Sequence, residues 1–224
     1  MKKLIFFLFI ATKTFSQTHE LKYQCHKDMD DERYNLIQQF DEKRYSYTVE
    51  KVFDESMSSN ETKVSLTICL NPETLNTEKI ISKNKDYFFS ELDYYKNITT
   101  DRNYNFDVEF VSNNNTKEIE LDINGERSKQ QISEYILQTK MDKKALYKVW
   151  FLENLSLTHK MPYNKKQLMP DWTIIYYAFR NSRMNKLIYS VEQIGRDLGG
   201  LKDTSVIECK LLYFKEINSI ECKE

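Results

Sequence analysis

The 224-residue chain carries 33 basic and 34 acidic side chains but only four Gly and three Pro. That is enough length for one domain with a substantial core, and it leaves no Gly- or Pro-rich linker between domains. No single-sign basic cluster stands out, which argues against a nucleic-acid-binding protein.

The first residues, MKKLIFFLFIATKTFSQ, run from Lys2 and Lys3 through an apolar stretch to Thr14 and Ser16. This is the order of a secretory signal peptide cleaved before Gln17. The apolar stretch is much shorter than the roughly 20 residues of a membrane-spanning helix. No Cys follows the cut to take a lipid. The expected product is residues 17–224, an extracytoplasmic (periplasmic or secreted) chain with no transmembrane segment once the leader is gone. It holds 30 basic and 34 acidic residues.

The segment CHKDMDDERYNLIQQF, Cys25 to Phe40, crowds a thiol, an imidazole and four carboxylates ahead of an apolar run. Asp28 fits a helix N-cap with acids in the first turn, and Leu36, Ile37 and Phe40 recur at helical spacing. A helix start therefore explains the cluster better than a metal site. A calcium loop would need a central Gly, and His26 has no second His close in sequence. YSYTVEKVF and TKVSLTICL alternate apolar and polar positions and predict an antiparallel hairpin, Tyr45–Phe53 with Thr62–Leu70. Asn71-Pro72 ends it. Ile81, Phe88, Leu92 and Tyr95 then predict an amphipathic helix to about Asn97, whose aromatic run is core rather than a sugar platform.

A second hairpin is expected from Phe106, Val108 and Phe110 to Ile119, Leu121 and Ile123 around an Asn113–Thr116 loop, with Asn124-Gly125 turning the chain out. Ser128 to Lys140 reads as a helix through Ile132, Tyr135 and Ile136. Residues 143–157 are ambiguous, and their Val, Trp and Phe favour a strand over a basic amphipathic helix. Beyond these, Trp172–Phe179, Lys186–Ile194 and Ser205–Phe214 predict a three-stranded meander. The sum is a single α+β domain: a largely antiparallel sheet, with a closed or half-closed barrel as its rival, and two or three packed helices.

Four cysteines, Cys25, Cys69, Cys209 and Cys222, form no C-x-x-C pair, so zinc-ribbon and thioredoxin-like spacing is missing. An even number in an exported chain predicts two disulfides. The shorter closures, Cys25 with Cys69 and Cys209 with Cys222, are the expected pairing.

Charge is uneven along the chain. Residues 17–126 hold 13 basic and 23 acidic side chains, and residues 127–166 hold 9 and 3. Either the basic segment meets an anionic partner, or the two regions face each other or are both ordinary solvated faces, and the latter alternative is favoured. No G-x-S-x-G, H-E-x-x-H, P-loop or G-x-G-x-x-G is present, which disfavours nucleotide and dinucleotide enzymes. His159 is the one candidate general base in the core region of the mature chain, though a lone His near a Pro is more often a surface or capping residue. Asp171 beside Trp172 is a candidate carboxyl of raised pKa, though a turn after Pro170 explains it more simply. Sequons at Asn60, Asn97, Asn114 and Asn154 matter only in a glycosylating host.

No cofactor, metal or catalytic residue is implied. The expected role is a non-catalytic domain that binds an apolar small molecule or an envelope protein. The alternative is an extracytoplasmic hydrolase with an Asp/Glu or Ser-His site acting on envelope glycans, lipids or peptides.

Overall fold

The computed structural model describes residues 18–27, 32–41, 44–51, 64–70, 77–83, 107–154, 186–195, 206–220 and 222. These form ten strands and, among the described residues, no helix. The first five make a meander: β1 (Thr18–Lys27), β2 (Glu32–Phe40), β3 (Tyr45–Lys51), β4 (Val64–Leu70) and β5 (Thr77–Lys83). Next come a long ribbon, β6 (Val108–Ile123) and β7 (Glu126–Thr139), then β8 (Ala145–Leu152), β9 (Leu187–Gln193) and β10 (Val206–Ile217). The sheet order is β5-β4-β3-β2-β1-β10-β6-β7-β8-β9, with β9 returning to pair with β10. All pairings are antiparallel except β10 with β6, which is a short parallel contact at Tyr213 and Phe214. Strands β6 to β10 thus close a five-stranded ring from which the β1–β5 meander extends.

The α+β expectation is overturned. The stretch read as a helix after Asp28 is β2, whose alternating Tyr34, Leu36 and Phe40 face the core. Asp28 to Asp31 lie outside the described residues. The helix expected to run to Asn97 contains β5 instead, and its later part also lies outside the described residues. Ser128 to Lys140 falls in β7, paired on both sides, with β6 and β8. In each case strand neighbours satisfy the backbone and select the period of two over an imperfect helical spacing.

The hairpin of β3 with β4 and the strand character of residues 145–152 follow the sequence reading, as do β9 and β10. Trp172–Phe179 lies outside the described residues. The second hairpin turns elsewhere than at Asn113–Thr116. Those residues sit in a bulge within one continuous β6, and the reversal is at Asn124-Gly125, where φ is 57° and 86°. Two successive positive φ values match the tight hairpin turn that an Asn-Gly pair favours. Gly125 N–H donates to Asp122 Oδ1 at 2.8 Å, and Asn124 N–H to the Phe214 carbonyl at 2.9 Å, so the turn is fastened to β10.

One cluster of buried residues runs through both parts, from Leu36, Val49, Leu66 and Ile68 to Val149, Phe151, Val191 and Leu211. Phe151, fully buried on β8, packs edge-on to both Phe110 and Tyr135, which joins β6, β7 and β8 to the core. Tyr23, fully buried on β1, donates its hydroxyl to the Ile188 carbonyl on β9 at 2.9 Å, tying meander to ring.

Two disulfides pin the sheet, Cys25–Cys209 and Cys69–Cys222, which replaces the expected pairing. Cys25 and Cys209 are directly opposite on β1 and β10 with Cα atoms 4.1 Å apart. Short closure in sequence loses to adjacency in the sheet, because the final strand lies beside the first.

Candidate functional site

A cluster of interacting polar side chains on the meander lies on the face opposite the core. Along β1, Leu21, Tyr23 and Cys25 point into the core, so Glu20, Lys22 and Gln24 point away from it. Register carries this second face across the meander in a row: Glu20 opposite Gln39 on β2, Gln39 opposite Ser46 on β3, Ser46 opposite Cys69 on β4. On the other flank, Glu20 lies opposite Lys215 of β10.

A bulge makes that last pairing possible. Between Lys22 and Tyr23 the partner on β10 skips Leu212, which is left half-exposed. Cys209 and Leu211 face the core before the bulge, and Phe214 does so after it. The extra residue therefore turns Tyr213 and Lys215 outward onto the Glu20 face.

Glu20 is 7 % exposed and its carboxylate is fully engaged. Tyr213 donates its hydroxyl to Oε1 at 2.7 Å, Lys215 Nζ lies 2.7 Å from the same oxygen, and Gln39 Nε2 donates to Oε2 at 2.6 Å. Ser46 Oγ then donates to Gln39 Oε1 at 3.4 Å. In the next row Thr48 and Thr67 share a hydrogen bond of 2.9 Å, and Lys22 pairs with Glu50 at 3.6 Å. Burial opposes charge on Glu20, but the hydrogen bonds from Lys215, Tyr213 and Gln39, with the Lys215 charge, outweigh it and hold the carboxyl below its ordinary value. Burial and the adjacent Glu20 push the Tyr213 phenol well above its ordinary value.

A second cluster joins β7, the end of β8 and the start of β9. Lys186 Nζ reaches both Glu153 oxygens at 2.6 and 2.7 Å, Ser133 donates its hydroxyl to Glu153, and Lys186 also stands 5.5 Å from the centre of the Tyr135 ring. Burial again opposes charge and is outweighed. Lys186 and Ser133 hold Glu153 low, and Glu153 with Tyr135 holds Lys186 high.

These shifts run opposite to acid–base tuning. A carboxyl acting as acid or base near neutral pH needs its pKa raised, and a phenol or amine acting as base needs it lowered. Glu20, Tyr213, Glu153 and Lys186 are instead locked in their resting protonation states. Both clusters are electrostatic fasteners.

The charge asymmetry of the sequence resolves as internal pairing. Arg127 pairs with Glu120, Lys129 with Glu118, Lys140 with Asp107 and Lys143 with Glu109, each joining the basic segment to the acidic one across the β6–β7 ribbon. Lys148 pairs with Glu192 on β9.

Of the residues singled out from sequence, His26 sits on β1 opposite Arg33 and Glu208. Among the described residues no group of three or more His, Cys, Asp or Glu is placed to hold a metal ion. His159, Asp171 and Trp172 lie outside the described residues, as do the sequons at Asn60 and Asn97. Asn114 and Asn154 are exposed, Asn114 with φ of 56° at the β6 bulge. Glu20, Tyr213 and Lys215 escape sequence reading. The signal that finds β1 is the alternation in HELKYQC, and the one that finds the bulge is two consecutive leucines, Leu211 and Leu212, in a strand of otherwise regular period.

No family model, curated protein or solved structure matches the chain.

Proposed function

We propose that this is an exported, disulfide-stabilised binding domain without catalytic activity, delivered by a leader at residues 1–16 and working outside the cytoplasm. The observation that carries the reading is the combination of two disulfides with clusters tuned to stay charged rather than to exchange protons. Disulfides persist in oxidising compartments. The close aromatic packing around Phe151 favours an envelope protein as partner over an apolar small molecule. In the β6–β8 region the exposed Val111 beside Ile136, with Trp150 capped by Lys117 Nζ at 4.1 Å from its ring centre, offers an apolar contact for such a partner.

Native and then denaturing mass spectrometry, on protein recovered from the exterior of its own host, tests this. The expected result is a chain beginning near Gln17, a gain of about 4 Da on reduction for two bridges, and a retained protein partner in the native spectrum. A chain that keeps its leader with four free thiols would refute export. Turnover of an envelope glycan, lipid or peptide by the purified protein would refute the non-catalytic reading.

A further inference from the structure

The two disulfides occupy different environments. Cys25 and Cys209 are buried at 1 % and 0 % exposure within the main core cluster. Cys69 lies on the opposite face of the sheet, in the row of Glu20, Gln39 and Ser46, and its partner Cys222 is only partly buried. Neither Cys69 nor Ile220 belongs to the main cluster, yet both are buried, Ile220 to 1 % exposure.

Geometry dictates where the chain after β10 runs. From β10 to β4 it passes β1, β2 and β3, four interstrand steps that amount to roughly 19 Å. The five Cα–Cα steps from Ile217 to Cys222 reach at most roughly 17 Å when extended, and the bridge adds 5.8 Å between Cα atoms. The segment has little slack. Its two ends, Ile217 on β10 and the bridge to Cys69 on β4, lie at opposite ends of the row from Lys215 through Glu20, Gln39 and Ser46. Glu20, Gln39 and Ser46 are buried on the second face although the main core cluster lies on the other.

We propose that the C-terminal segment is a redox-releasable strap, and that a dithiol reductant opens Cys69–Cys222 selectively and uncovers the Glu20 row while the rest of the fold stays closed. A thiolate of the reductant attacks Cys222 Sγ, breaking the bridge, forming a mixed disulfide at Cys222 and expelling Cys69 as thiolate. The reductant's second thiol then attacks the mixed disulfide, freeing Cys222 and closing the reductant's own disulfide. Two electrons pass from the dithiol to the protein bridge, and the two cysteine thiolates take up the protons. Access to sulfur controls such exchange, so the partly exposed bridge reacts first. The released state keeps its core because Cys25–Cys209 and the main cluster are untouched.

The test treats the oxidised full chain with increasing dithiol, alkylates the freed thiols and maps them by peptide mass. In parallel, carbodiimide footprinting follows the reactivity of the Glu20 carboxyl. Cys69 and Cys222 are expected to be alkylated roughly tenfold faster than Cys25 and Cys209, with Glu20 labelling rising in step. A Cys222→Ser variant, checked for an intact Cys25–Cys209 bridge, is expected to show the raised Glu20 labelling without reductant. Simultaneous or reversed opening of the two bridges would overturn the proposal. So would selective opening that leaves Glu20 labelling unchanged.

Discussion

The meander and the β6–β7 ribbon both display charged side chains on a face away from the core, and they neutralise them in opposite ways. On the meander, Glu20 is buried and shared among Tyr213, Lys215 and Gln39, in a row that ends at a disulfide. On the ribbon, Glu118–Lys129 and Glu120–Arg127 are exposed pairs in water. Exposed pairs gain little because solvent screens them and the long side chains lose rotamer freedom. Buried networks are unforgiving, since removal of one member strands the others away from water. Equal-looking ion pairs therefore carry unequal weight, and burial decides which matter.

That contrast can be broken experimentally. Replacing Cys25 and Cys209 together by Ser removes the bridge between first and last strands, and is expected to cost about 2–5 kcal/mol, read from the urea midpoint. Gly195→Ala comes next. A Cβ there would intrude on the Ala145 backbone carbonyl, which cannot swing aside because β8 is held by its neighbours. Overpacking of this kind costs about 1–3 kcal/mol, visible as a lowered Tm. Glu20→Ala strands a partly buried phenol, a buried amide and part of an ammonium, and is expected to lose about 2 kcal/mol. At the small end, Lys129→Ala on the exposed ribbon is expected to leave the urea midpoint unchanged. A Lys129 effect as large as that of Glu20 would dissolve the distinction between the two regions.

Acid sharpens the same contrast. Because the Glu20 carboxyl titrates below its ordinary value of 4.5 in the folded state, its contribution is complete above that value and fades as pH falls through the lowered folded pKa. Urea midpoints measured downward from pH 6 should therefore fall more steeply in the native protein than in Glu20→Gln. Parallel curves would show that Glu20 titrates alike folded and unfolded.

Much of the strand content was legible, and the failures have identifiable causes. Strands with clean alternation, such as Val64, Leu66, Ile68 and Leu70 in β4, announce themselves. In β2, the inward Gln38 and the apolar Ile37 on the second face spoil the alternation and leave a helical spacing in its place. In β7, Ile132, Tyr135 and Ile136 do the same, because both faces of the strand are partly covered. The Asn-rich stretch 113–115 resembles a turn but is a bulge opposite Glu134, while the reversal sits at the Asn-Gly pair. The Glu20 network was invisible for a deeper reason. Tyr213 is 193 residues from Glu20 in sequence, and a one-residue bulge at Leu212 brings it and Lys215 to the Glu20 face.

The account rests on the last strand lying beside the first and on the chain after it returning across the meander to β4. Proteolysis without reduction, followed by mass mapping of the linked peptides, examines both at once. The account predicts that the Cys25 peptide is joined to that of Cys209, and the Cys69 peptide to that of Cys222. A Cys25–Cys69 or a Cys209–Cys222 link would contradict the strand order on which the buried row and its strap depend.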